Sequence, residues 1–471
     1  MTEQAKSRSL QNFVDSTPDL VEYFYNETRP PHSSHRPGLN PAPPEWSNWR
    51  SEQRAWREAA VLFDQSHHMP AMYMKGPDAF QLLQYLGVNS FAKFSPGKAK
   101  QYVACNPSGQ IIGECVVYRH GEDDFELISG MHLHNWVHYH VDTGKWNVTI
   151  ERDYPTAENP KGRRKFRFGM DGPNAEKIFH EVIEGEPPVI PFFNHARVKI
   201  AGCDVVALRH GMAGHRGVEL SGRFDDGPKV RAALLEAGEK YGLRPGGTTA
   251  YFSAALESGW MAYPPAAVYT GQEMRKYREW MTADSWEVNM NLGGSFYGKS
   301  IEEYYVTPWD LAYDNIVKFD HDFVGRAALE KSAAQPRRTA VSLVWDVNDV
   351  ERIVRSLYEA ELPYKYIGYP VTSYAFQQND EVRDLAGNLV GISTWAGYTI
   401  NERNTISQAM VDRSLAEPGT KLTLIWGEPN GGSRKPQVER HRQTPISVTV
   451  APKFYAATAR DLRKSSLGDP K

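Results

Sequence analysis

The apolar pattern of this chain changes once, near residues 332–338, and that change limits the possible folds most strongly. Before it, runs with strand spacing alternate with runs of helical spacing, whereas beyond it most runs are of the strand type. The later runs are TAVSLVWDV (339–347), NLVGISTW (388–395), TKLTLIW (420–426) and TPISVTVA (444–451). Short strands separated by Gly- and Pro-containing turns predict a β-barrel-like C-terminal domain over 332–471.

The first part of the chain mixes the two spacings. Helices are predicted at 51–63, 77–87, 174–185 and 228–242, and strands at 72–76, 110–119, 125–129 and 164–170. No GxGxxG opens a helix after a strand and no GxxxxGK[ST] occurs, so a nucleotide-binding enzyme of either kind is not expected. This order favours an α+β fold over a doubly wound sheet. We predict a core of two interleaved α+β subdomains over 46–331.

Residues 30–45, PPHSSHRPGLNPAPPE, are rich in Pro and Ser, which favours extended backbone over a core element. We therefore predict an N-terminal arm over 1–45. With 471 residues the chain is also too long for one compact core, so several domains are expected.

The charge balance narrows the range of partners. Lys and Arg number 54 and Asp and Glu 57, so no net basic field exists to hold nucleic acid or an anionic membrane. The three cysteines form no CxxC, which fits a reducing cytoplasm. No apolar run reaches the ~18 residues of a membrane span. A small-molecule substrate is expected.

Eight segments between about residue 46 and the C-terminus carry a family resemblance. They are SNWRSEQRAWREAAVLFDQSHHM (47–69), AKQYV (99–103), LRHGMAG (208–214), ALESGW (255–260), VYTGQE (268–273), GGSF (293–296), VKFDHDFVGRAAL (317–329) and WGEPNGG (426–432). In this order they resemble the aminomethyltransferase family, founded on the T protein of glycine cleavage. Within that family they are most similar to the tetrahydrofolate-dependent aromatic O-demethylases of vanillate, 3-O-methylgallate and syringate. The resemblance implies a three-domain cloverleaf with tetrahydrofolate in a central channel.

The resemblance also implies an aromatic site. It places Gln65 and His68 against the substrate ring, Tyr251 against the aryl oxygen, and Trp260 in one wall. The chemistry supports Tyr251, because methyl transfer from an aryl ether leaves a phenolate, and a phenol donor can neutralise that charge as it develops. The alternatives are a loop histidine bonded to backbone and ordinary core aromatics.

Three residues match the folate side of the family site. Glu219 corresponds to a glutamate that binds the pterin edge, whose amino group and ring N–H suit a carboxylate. Glu114 stands where the family usually has Asp, near the reacting nitrogens. Arg278 is a candidate for the glutamate tail of folate, since Arg suits carboxylates. Exposed carboxylates and surface ion pairs are the alternatives.

Two departures from the vanillate enzyme bear on the substrate. Met131 replaces an arginine beside the ring, and Leu39 replaces a tyrosine of the arm. Both losses remove polar partners, and an unpaired carboxylate in such a pocket is costly. We therefore expect a substrate other than vanillate, with a carboxylate bound elsewhere. A chlorinated 2-methoxybenzoate such as dicamba is a leading candidate, because Met131 and Leu39 suit chlorine or bare ring edges.

The sequence thus predicts an aryl O-demethylase that moves the methyl group of a methoxybenzoate to N5 of tetrahydrofolate, with no metal required. Alternatives are a vanillate- or syringate-type demethylase of lignin aromatics, or a folate-binding protein of the family without catalysis. Relatives in iron–sulphur assembly carry a cysteine at the position of Val268, which argues against that role. The QSHHM and WGEPNGG segments favour the aromatic branch over an aminomethyltransferase or a sulphonium demethylase.

Overall fold

The structure, a computed structural model, describes residues 8–28, 41–261, 264–334 and 338–468. The helices are α1 Leu10–Asp15, α2 Leu20–Asn26, α3 Trp49–Glu58, α4 Ala79–Leu86, α5 Met131–Thr143, α6 Ala175–Val182, α7 Gly227–Gly238, α8 Thr248–Ser258, α9 Arg275–Trp280, α10 Arg326–Ala333, α11 Val347–Ser356 and α12 Ala457–Gly468. The strands up to the boundary near 335 are β1 Ala60–Asp64, β2 Ala71–Lys75, β3 Lys98–Cys105, β4 Ile111–Gly121, β5 Asp124–Ile128, β6 Thr149–Asp153, β7 Lys165–Asp171, β8 His195–Ile200, β9 Cys203–Leu208, β10 Gly217–Arg223, β11 Leu243–Gly246 and β12 Leu292–Gly293. Beyond it lie β13 Arg338–Trp345, β14 Val371–Thr372, β15 Gln377–Gln378, β16 Asp380–Arg383, β17 Leu389–Thr399, β18 Asn404–Asp412, β19 Lys421–Trp426 and β20 Thr444–Ala451.

Two sheets form the first part of the molecule. One has the strand order β11-β1-β7-β10-β9-β8, in which β1 and β11 are parallel and the other pairs antiparallel. The other has the order β3-β4-β5-β2-β6 and is antiparallel throughout. Helices α6 and α7 cover the first sheet, and α4 and α5 pack against the second. This arrangement confirms the predicted α+β fold.

The C-terminal strands close on themselves. Their order is β17-β16-β19-β20-β13-β18, and β18 pairs again with β17, so these six strands form a closed antiparallel barrel. Strand β14 adds to β17 at the side. Trp345 and Trp426 fill the interior with ring centroids 5.2 Å apart. The predicted barrel-like domain is confirmed, and closure removes free strand edges.

The predicted helix over 51–63 is corrected by the structure. Helix α3 ends at Glu58, and the apolar residues Ala60–Phe63 belong to strand β1, which lies between β11 and β7 in the first sheet. Four consecutive buried residues are typical of a strand covered on both faces. The N-cap is Asn48, whose side chain accepts the Ser51 N–H, rather than Ser51 itself.

The N-terminal region is partly described. Helices α1 and α2 pack into the core, where Leu10 and Phe24 are fully buried. Leu39 lies outside the described residues, and the boundaries at 45 and 331 stay predictions. Among the described helices, none combines the length and apolarity needed to cross a bilayer.

Candidate active site

Tyr251 and Gln65 meet in the interior. Tyr251 lies in the first turn of α8, and Gln65 directly follows β1 and is fully buried. The Nε2 of Gln65 donates a hydrogen bond of 3.3 Å to the Tyr251 hydroxyl. Gly169 leaves room for this amide, since a Cβ there would lie 3.0 Å from Nε2. The other amide atom, Oε1 of Gln65, is buried and accepts no hydrogen bond from the described residues.

His68 completes this group of aromatic-site residues. Its ring centroid lies 5.0 Å from that of Tyr251 and 5.6 Å from that of Phe252. The neighbouring His67 has a different role, because its Nδ1 is 2.9 Å from the Thr156 hydroxyl. The structure therefore brings together Gln65, His68 and Tyr251, which the sequence analysis placed at the substrate ring.

Trp260 is joined to Glu114. The indole Nε1 of Trp260 donates to Oε1 of Glu114 at 2.6 Å, and Gln101 Nε2 donates to Oε2 at 2.9 Å. Burial raises the pKa of the Glu114 carboxyl, and these hydrogen bonds oppose that rise. Gln408 of the barrel donates to the carbonyls of Ala255 and Trp260, at 2.7 and 2.8 Å, and so fixes the chain after α8.

Glu219 lies in the middle of strand β10 and is 7% exposed. Its Oε1 accepts a hydrogen bond of 2.7 Å from the Tyr118 hydroxyl and another from the Arg167 guanidinium. Arg167 is held in turn by Glu126, at 3.0 Å. Both hydrogen bonds of Glu219 in the described chain reach the same oxygen, so Oε2 remains available to a ligand. Such buried carboxylates need compensating donors, which Arg167 and Tyr118 supply.

The sheet register connects the two groups. Gly169 of β7 pairs with Phe63 of β1 on one side and with Glu219 of β10 on the other. Gln65 follows Phe63 by two residues, so a single strand, β7, separates the strand before Gln65 from the strand that carries Glu219.

Met131 is buried at the start of α5, and its surroundings correct one sequence inference. The replacement of an arginine by Met131 suggested that this region lacks a polar partner for a carboxylate. Instead, the Arg152 guanidinium reaches Met131, with Nη2 3.7 Å from Sδ. A cation is therefore present beside Met131, supplied by strand β6, and sequence spacing gave no sign of it.

Arg278 lies in another environment. Its guanidinium donates to Gln11 Oε1 at 2.7 Å and to the carbonyls of Val268, Thr270 and Gly271 at 2.8–3.0 Å. These contacts hold α1 and the VYTGQE loop together. Its assignment to the folate tail stays a prediction.

Several site residues were not found from sequence. They are Gln101, Tyr118, Glu126, Arg152, Arg167 and Gln408. Tyr118 and Arg167 fall in predicted strands, but alternation alone does not tell which strands are neighbours. The available signal was the position of Arg167 inside the apolar run 166–170, since a cation in a buried strand requires a partner.

Buried carboxylates, a phenol, an imidazole and amides, supplied by the strands, the QSHHM loop and helix α8, define an enzyme site for a small molecule, carried on an α+β fold with a closed barrel. A family model described as GCVT N-terminal domain matches residues 20–270. The chain belongs to this family, the aminomethyltransferases.

The relatives agree with this assignment. The chain is 44% identical to a syringate O-demethylase of Sphingobium sp. (strain NBRC 103272 / SYK-6), over 96% of this chain and 97% of the relative. It is 27% identical to a sesamin methylene transferase of Sinomonas sp. (strain No.22), over 82% and 86%. The solved glycine cleavage system aminomethyltransferase T from Bartonella henselae has the same fold, with a TM-score of 0.60, 17% identity and coverage of 87% and 90%. The predicted family, its enzyme character and its use of tetrahydrofolate are thereby confirmed.

Proposed function

We propose that this enzyme is an O-demethylase that transfers the methyl group of a methoxybenzoate to N5 of tetrahydrofolate. The products are a phenol and 5-methyltetrahydrofolate. The observation that carries the proposal is the buried contact between Gln65 and Tyr251 beside His68. The 44% identity to a syringate O-demethylase over nearly the whole chain supports it.

The residues on the folate side fit the cofactor. Oε2 of Glu219 can accept hydrogen bonds from the pterin amino group and the adjacent ring N–H. Hydrogen bonds from Arg167 and Tyr118 hold Oε1 in place. The carboxylate of Glu114 would stabilise positive charge near the reacting nitrogen. When bound, tetrahydrofolate supplies the nucleophile for displacement at the methyl carbon.

The protein's main contribution is alignment of the two bound molecules, with the O–CH₃ bond in line with the nitrogen. As that bond breaks, negative charge develops on the aryl oxygen. The Tyr251 hydroxyl can donate to it, and the Gln65 N–H stabilises the charge that then falls on the tyrosine oxygen.

Gln65 also bears on the choice of substrate. Its buried Oε1 accepts no hydrogen bond within the described chain, and leaving such an acceptor unpaired costs about 1–3 kcal/mol. A ring hydroxyl on the substrate would pair with it. This favours a hydroxylated methoxybenzoate of the syringate type over dicamba, which has no ring hydroxyl. Dicamba stays a candidate on the apolar character of Met131.

The test is incubation of the purified protein with tetrahydrofolate and, separately, syringate, vanillate and dicamba, with 5-methyltetrahydrofolate and the phenol measured together. We expect equal amounts of the two products and the highest kcat/KM with syringate. Demethylation that requires O₂ and NADH, or no binding of reduced folates, would contradict the proposal. Folate binding without methyl transfer to any substrate would instead favour the non-catalytic alternative.

A further inference from the structure

Arg152 is a partly buried cation that forms no ion pair with the residues the structure describes. It lies on strand β6, opposite Met72 of β2 in the sheet register. Its Nη1 donates to Oδ1 of Asn135 at 2.7 Å, and its guanidinium lies 4.8 Å from the centre of the Tyr154 ring. Among the described residues, its buried Nε donates to no acceptor.

The surroundings hold Arg152 in place without neutralising it. Asn135 links Arg152 to a carboxylate: both oxygens of Glu287 accept from the Asn135 amide at 3.0 Å, which turns the Asn135 oxygen towards Arg152. Burial lowers the pKa of Arg152, and Tyr154 and Glu287 only partly oppose this. A partly buried guanidinium whose buried Nε–H has no acceptor among the described residues is a costly arrangement that an anionic ligand would relieve.

Arg152 also lies next to the proposed substrate site. Its Nη2 is 3.7 Å from the Sδ of Met131, the residue beside the ring position. Gly130, directly before Met131, packs against the Glu114 carbonyl, since a Cβ there would lie 2.4 Å from that oxygen. On the other side, the chain that follows β6 is tied to the QSHHM loop, because Thr156 N donates to the His67 carbonyl at 2.9 Å.

We propose that Arg152 binds the carboxylate of the methoxybenzoate, which makes it a specificity-determining residue of this enzyme. The inference rests on the proposed function. The guanidinium offers Nε–H and Nη2–H to two carboxylate oxygens, the geometry at which arginine is most effective. Arg152, on strand β6, would thus bind the carboxylate that Met131, an uncharged residue, cannot bind.

The alternative is a purely structural role, in which Arg152 only supports Asn135. The two differ in how binding depends on the ligand's carboxylate. A recognition residue discriminates syringate from the analogue in which hydrogen replaces the carboxylate, whereas a supporting residue affects both ligands alike.

The experiment measures the Kd of both ligands by calorimetry for the wild type, Arg152→Gln, Arg152→Lys and the control Arg164→Gln. Arg164 is a suitable control because it pairs with exposed Glu151 and stacks on Tyr73 at 4.5 Å. We expect Arg152→Gln to weaken syringate binding about 10- to 100-fold. Arg152→Lys should weaken it less, and the uncharged analogue should bind all four proteins alike.

Three results would overturn the inference: unchanged syringate binding in Arg152→Gln, equal loss for both ligands, or a wild type that binds neither. Should Arg152→Gln fail to fold, Arg152→Lys decides by the same comparison of the two ligands. Binding is measured without folate, so its outcome does not depend on methyl transfer. If syringate binds through Arg152 but the protein transfers no methyl group to tetrahydrofolate, this inference stands and the proposed function is refuted.

Discussion

At the scale of single residues, Tyr251 shows how a common core side chain acquires a specific role. It is 7% exposed and packs on Phe63 at a ring distance of 5.2 Å, as an ordinary core tyrosine would. What distinguishes it is the Gln65 amide at its hydroxyl and the His68 ring, whose centroid lies 5.0 Å from its own.

Replacing Tyr251 by Phe removes the hydroxyl and keeps the ring. We expect kcat to fall at least about tenfold, because proton donation to the leaving oxygen contributes about 10²–10⁴-fold. Folate binding should persist, as measured by calorimetry alongside steady-state kinetics. Tyr241→Phe, which removes a surface hydroxyl bonded to Glu181, is the matched control. An unchanged kcat in Tyr251→Phe would remove the residue from the mechanism.

At the scale of elements, helix α8 is positioned by one carboxylate from α3. Glu52 is fully buried, and its Oε2 accepts the Gly247 N–H at 2.9 Å, just before α8 begins. Its Oε1 accepts the N–H groups of Trp46 and Ser47 at 2.8 and 2.9 Å. The Glu52 carboxylate therefore holds both the chain that follows the predicted arm and the start of the helix that carries Tyr251.

Glu52→Ala leaves these three N–H groups without an acceptor. We expect the free energy of unfolding to fall by about 3 kcal/mol, since each unsatisfied buried group costs about 1–3 kcal/mol and part of the loss is recovered by water. Urea denaturation followed by circular dichroism measures this. Glu58→Ala, an exposed position at the end of the same helix, should change it little.

A second carboxylate, Asp171 at the end of β7, organises the loop before β10. Its Oδ2 accepts the N–H groups of Met212 and Ala213 at 3.0 and 3.1 Å. Gly217 permits this close approach, because a Cβ there would lie 2.0 Å from Oδ1. Burial raises the pKa of Asp171 from 3.8 to about 7, against the effect of the two hydrogen bonds.

The raised pKa of Asp171 has a definite consequence for stability. The folded state holds this proton more tightly than the unfolded state, so its contribution is greatest below pH 3.8 and is lost as pH rises towards about 7. We expect Asp171→Asn to remove that decline. Denaturation of both proteins at about pH 5 and about pH 8 tests it: the same pH dependence in both would contradict the assignment.

At the scale of the whole molecule, Glu257 joins the barrel to the α+β part. This fully buried residue of α8 accepts hydrogen bonds from Trp56 at 3.2 Å and Arg57 at 2.8 Å. On the barrel side, Asn401, in the turn between β17 and β18, donates to it at 3.0 Å. Because α8 also carries Tyr251, the barrel helps to place the active site.

Glu257→Ala should therefore weaken the contact between the two parts. Removing one partner of a buried charged pair typically costs about 3–5 kcal/mol, so we expect a Tm lower by several degrees and a reduced kcat. Differential scanning calorimetry and the demethylation assay measure both. Glu402→Ala, which breaks only the second, partly exposed ion pair of Arg57, is the control. Equal Tm values for the two variants would show that Glu257 is not the main link.

Most of the architecture was predictable because it depends on local periodicity. The strand predicted at 110–119 is β4, the one at 164–170 is β7, and the helix at 174–185 contains α6. The helix predicted at 51–63 was wrong beyond Glu58, because a buried apolar run satisfies either spacing and only pairing with β7 and β11 decides it.

By itself, the sequence determined the alternation of helices and strands, the barrel-like end and the family, because these follow from local spacing and ordered motifs. Only the tertiary structure decided which side chains meet: Gln65 with Tyr251, Trp260 with Glu114, Arg152 with Met131. Each of these pairs joins residues at least 20 positions apart, and the energies that select such contacts come from burial and pairing of polar groups, which spacing along a chain does not encode.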